Sequence, residues 1–95
     1  MKTTEKIILI DGNFSPTEAK ELLMNLFINK INFHQNKNFS SHERYGKEDE
    51  TAIRRIPELK ESVETISEII NLATIHNKNI VITSTVNIHF SKTDE

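Results

Sequence analysis

Residues 57–77, from Pro57 to Asn77, read PELKESVETISEIINLATIHN. Starting one residue earlier, Ile56, Leu59, Val63, Ile66, Ile70 and Ala73 recur at steps of three and four. That spacing draws one apolar stripe along a helix, close to the seam of a coiled coil. Toward the C-terminal end Ile69, Leu72 and Ile75 join the stripe, so the helix passes from one-sided to apolar nearly all round. Such a helix has a free-standing end and a buried end.

A second helix supplies the mirror image. Ser15-Pro16-Thr17-Glu18 is a helix start: serine caps the free amides, proline suits the first helical position, and Glu18 completes a capping box. The helix is expected over about 16–34. From Leu22 to Ile28 only Asn25 is polar, whereas beyond Asn29 only Ile31 and Phe33 are apolar before the polar run begins. In an antiparallel hairpin the start of this helix lies beside the end of the other. Both broadly apolar ends then meet at the base and both narrow ones form a stalk.

Strands are expected at the two ends of the chain. Residues 5–10, EKIILI, are β-branched and aliphatic, with Asp11-Gly12 closing them as a turn. Strict alternation puts Ile8 and Ile10 on one face and Ile7 and Leu9 on the other, as in a strand covered on two sides, and Thr3 and Thr4 extend it backward. Asn77-Lys78-Asn79 breaks the later helix. Over about 79–90, Ile80, Ile82, Val86, Ile88 and Phe90 then alternate with Val81, Thr83, Thr85, Asn87 and His89. The tail SKTDE is charged and expected to fray.

The fold class is therefore α+β, in the order β-α-α-β. A long antiparallel helical hairpin packs on a two-stranded antiparallel sheet formed by the chain ends. The whole chain, 1–95, is one domain. Residues 34–50, HQNKNFSSHERYGKEDE, are expected as a polar tip, with one capped turn ending at Gly46. The second helix is expected over about 51–76, kinked near Pro57. A two-stranded sheet leaves two edges open and an apolar back face bare, so a homodimer is expected, with Met24, Ile28, Ile69 and Leu72 at its interface. Whether it extends the sheet or packs four helices is left open by the sequence.

Composition narrows the functional classes. The chain has 95 residues, 27% of them charged, with a net charge of −2. No single-sign field points to nucleic acid, membrane or a strongly charged substrate. Cysteine is absent, which removes disulfides, thiolate nucleophiles and thiolate metal ligands together and suits the cytoplasm. The Ile7–Ile10 run is too short for a signal-peptide core, and nothing approaches the ~20 apolar residues of a membrane span. The excess of Ile, Lys and Asn hints at an AT-rich bacterial genome.

Motif searches return little. Asp11-x-Asn13-x-Ser15 resembles the opening of a calcium loop, but the required glycine is Pro16 and the closing glutamate is Leu22. Asn13-Phe14-Ser15 and Asn38-Phe39-Ser40 match the glycosylation sequon by chance. His34, His42, His76 and His89 include no helical ligand pair, so no metal or other cofactor is expected. His76 suits a helix end and His89 a solvated strand face. Serines have no patterned base, and the two glycines build no phosphate loop.

Arg44, Arg54 and Arg55, with Lys37, Lys47 and Tyr45, would make a small basic and aromatic patch. The acids Glu48, Asp49 and Glu50 cancel it on a solvated face. The favoured reading is a non-enzymatic homodimeric interaction or assembly module. A nucleic-acid-binding or regulatory protein using the tip comes second, and a metal- or histidine-dependent enzyme third. Phe39, His42, Glu43, Arg44 and Tyr45 are the candidate partner-binding residues at the tip. Aromatic and arginine side chains carry most binding energy at interfaces, although both rings folding back on the stalk is the plainer alternative.

Overall fold

The Ser15 cap forms as its sequence requires. The Glu18 amide donates to Ser15 Oγ at 3.2 Å, and the Ser15 amide donates back to Glu18 Oε1 at 2.9 Å. The computed structural model describes residues 4–91. Its elements are β1 (Thr4–Phe14), α1 (Pro16–Tyr45), α2 (Glu50–Ile75) and β2 (Ile80–His89). The helices pack on each other, and the strands form a two-stranded antiparallel sheet from the chain ends. Thr4 opens β1. The expected extension to Thr3 and the end of the tail lie outside the described residues.

The stripe on α2 is the seam of the hairpin. Leu59, Ile70 and Ala73 are buried, Ile56, Val63 and Ile66 are half-buried, and Ala52 continues the same spacing backward to a fully buried position. Pro57 lies inside this helix rather than at its start. Its missing N–H leaves the Ile53 carbonyl without its helical donor, but both residues are exposed and water can satisfy it. The helix ends in a Schellman motif: Asn77 takes φ 51°, its amide donates to Thr74 O, and Lys78 N–H donates to Ala73 O at 2.8 Å.

Two expectations are corrected here. Residues 34–45 are helix, not an irregular tip, and α1 runs to Tyr45. The reason is that the heptad does not stop at Ile31. Phe27, Ile31, His34, Asn38 and Ser41 keep steps of four and three, and all are buried or half-buried. The seam continues in polar residues, to which an apolar count is blind. The connection shrinks to residues 46–49, an ordinary length for packed helices.

The second correction concerns β1. It passes through Asp11-Gly12 to Phe14, and Gly12 pairs with Ile82 instead of turning. The Phe14 ring covers Gly12, so that a Cβ there would come within 3.0 Å of Phe14 Cζ. The register also shifts between Ile8 and Ile10, a bulge that leaves Leu9 as the extra residue. Directly opposed residues share a face, so the helix-side row is Ile80/Phe14, Ile82/Gly12, Ser84/Ile10, Val86/Ile7 and Ile88/Glu5. Ile7 thus joins Ile10 on the inner face, and Ile8 turns outward with Thr85.

The ribbon is covered over only part of its length. Ile10 is buried and Phe14, Ile80 and Ile82 are half-buried, whereas Ile7 is 50% and Ile88 49% exposed on the same face. The extents are 53 × 38 × 15 Å, so the molecule is hardly thicker than one helix. No helix is long and apolar enough to cross a membrane.

Candidate functional site at the hairpin tip

The tip is built by interlocking caps. Gly46, at φ 67°, ends α1 in a left-handed conformation, and its amide donates to His42 O at 2.9 Å. Asp49 then caps α2 by accepting from the Ala52 amide at 2.9 Å. The two helices are tied at this point by Asn38, whose Oδ1 accepts from the Asp49 amide at 2.7 Å. His42 Nε2 meets Glu48 Oε1 at 2.8 Å. Hydrogen bonds from the Asn38 side chain and then His42 hold the Glu48 carboxyl below its ordinary value of 4.5.

Beside this knot, α1 presents Phe33, Lys37, Ser40, Ser41 and Arg44 at helical spacing. With Asn36, Tyr45 and Asp49 they line an open groove of about 430 Å³. The Phe33 ring carries Lys30 Nζ at 4.7 Å and Lys37 Nζ at 5.8 Å from its centroid, which fixes the ammonium groups over an aromatic face. The groove is cationic on its α1 side and closed by one carboxylate, Asp49. Chemically it suits a polar segment carrying an acid or hydroxyl groups together with an apolar contact for Tyr45.

Of the five residues expected at the tip, Arg44 and Tyr45 line this groove. His42 is turned to Glu48, while Phe39 and Glu43 are exposed elsewhere on the helix. Lys37, expected in the basic and aromatic patch with Arg44 and Tyr45, does lie beside them, whereas Ser40, Ser41 and Asn38 were missed by sequence reasoning. The signal that finds them is the spacing 37, 40, 41, 44, legible once the segment is taken as helix. Arg54 and Arg55 do not pair with the acids at 48–50. Both reach Glu58, Arg55 at 2.7 Å and Arg54 at 4.0 Å.

His34 is the one buried polar side chain among the described residues, and neither ring nitrogen has a hydrogen-bond partner. Phe33 meets it edge-on at 5.4 Å. Burial first, then the charges of Lys30 and Arg55, push its pKa below 6.5, with Asp49 opposing. The imidazole packs as a ring in the seam of the hairpin.

At the other end of the hairpin, Met24 is half-buried in a groove between the two helices, lined also by Pro16, Lys20, Ile70 and Thr74. Ile28, Ile69 and Leu72 are exposed. Ile69 also borders an apolar cleft of about 350 Å³ between the helices and the first residues of β2. Among the described residues no group of three His, Cys, Asp or Glu side chains is placed to hold a metal ion. No family model, curated protein or solved structure matches the chain.

Proposed function

We propose that the chain is a non-enzymatic assembly module that works as a homodimer in the cytoplasm. The observation that carries this reading is its surface. A compact protein of 11.0 kDa exposes about 5,600 Å²; this chain exposes 7839 Å². Its radius of gyration is 17.1 Å, against about 12 Å for a compact chain of this length. The excess of roughly 2,000 Å² per copy matches what one protomer contributes to an obligate interface, which buries about 2,000–5,000 Å² in total. If folding and association are coupled, the melting temperature rises with protein concentration. A midpoint independent of concentration over two decades in the micromolar range contradicts this.

The tip groove favours a second element of the reading, a docking place for another protein. Arg44 and Tyr45 are fixed on a capped helix end and leave their side chains exposed. Replacing both with alanine is expected to leave the melting temperature within about 2–4 °C, as for surface positions generally, while abolishing capture of the partner. A large loss of stability, or unchanged capture, places the working surface elsewhere. Nucleic acid is disfavoured because Asp49 sits in the groove and Glu48 and Glu50 flank it.

A further inference from the structure

We propose that two copies join through the free edges of their β2 strands, running antiparallel about a two-fold axis centred on Thr85, to form one four-stranded sheet. This rests on the self-association proposed above and names its surface.

The two edges of the ribbon are not alike. β1 carries Glu5, Lys6, Asp11, Gly12 and the bulge at Leu9, devices that blunt an edge against further pairing. β2, IVITSTVNIH, has no acidic residue, lysine or arginine, no proline, no glycine and no bulge, and its one titratable side chain, His89, closes it. Its outer row of backbone donors and acceptors is interrupted by none of these devices.

The pattern of burial points the same way. A two-fold axis perpendicular to the sheet keeps both inner faces on one side and reverses the ribbons. The half of each ribbon left uncovered by its own helices then comes beside the half that the partner's helices cover. Centring on Thr85 opposes Ile82 to the partner's Ile88, both on the inner face, and brings Ile80 beside the partner's Phe90, which follows the end of β2. The cleft bordered by Leu23, Ile66, Ile69, Ile80 and Ile82 lies along this edge. Ile88 and Phe90, at 49% and 68% exposure, are the side chains that fill it from the second copy. Edge pairing and helix packing are thus satisfied by a single arrangement.

The absence of cysteine makes the test clean. Thr85 faces outward, and at the two-fold it stands opposite itself, with Cα atoms about 4.5–5.5 Å apart, within disulfide range. Thr85→Cys under mild oxidation is expected to give a covalent dimer in high yield on denaturing gels, while Asn13→Cys, outward on β1, does not. Ile88→Asp, at a position exposed in the single copy, is expected to shift the protein to monomer with its helical circular dichroism kept. A protein that is dimeric by light scattering but does not cross-link at Thr85→Cys, or stays dimeric as Ile88→Asp, overturns this interface and leaves self-association standing. A wild-type monomer overturns both.

Discussion

His34 sits where the seam of α1 calls for an apolar residue, 5% exposed, with neither nitrogen satisfied. Leaving a polar group in such a place costs free energy that an apolar residue would not. Its pKa is lowered from 6.5, so between the folded value and 6.5 the unfolded chain binds more protons than the folded one. Stability therefore rises with pH through that window and is complete above 6.5. His34→Leu is expected to remove this part of the pH dependence and to leave stability at pH 7.5 unchanged or higher. Urea titrations of both proteins at pH 5.5 and 7.5 check it; a variant with the full wild-type slope assigns the titration to another group. Asn38, one turn on, is polar for a different reason. Its side-chain carbonyl accepts from the amide of Asp49, the N-cap of α2, and its side-chain amide donates toward Glu48. One residue thereby joins the two helices at the tip.

The elements follow from periodicity where the periodic residues are apolar, and only there. Leu59, at 4% exposure, lies in the α2 seam. Leu59→Ala is expected to cost about 2–5 kcal/mol, a large share of the stability of so small a core. Denaturant unfolding checks this, and a loss below about 1 kcal/mol would show that the seam is not the core. The α2 stripe, the Ser15 capping box, the Asn77 break and the alternation in β2 were all legible in the sequence. The distal third of α1 was not. Its seam positions are His34, Asn38 and Ser41, and Ser40-Ser41 reads locally as a helix start. The β1 bulge was hidden for a related reason: the four consecutive aliphatic residues Ile7–Ile10 suit either face and cannot report a slip of one. At the tip, residue chemistry alone picked out Arg44 and Tyr45. Lys37 was grouped with them by charge, but Ser40 and Ser41 stayed hidden because they align with Arg44 only on a helix.

The whole molecule is a flat frame, 53 × 38 × 15 Å, with a ribbon whose apolar row outruns the helices that cover it. Ile7, Val86 and Ile88 continue the inner face into solvent, and Phe90, Ile28, Ile69 and Leu72 are exposed as well. Exposed apolar side chains that prolong a core face are what a second copy would cover. Light scattering on the gel-filtered native protein at micromolar concentration tests this most directly. The account predicts a mass of about 22 kDa, twice that of the 11.0 kDa chain; a uniform, folded species at 11.0 kDa contradicts it.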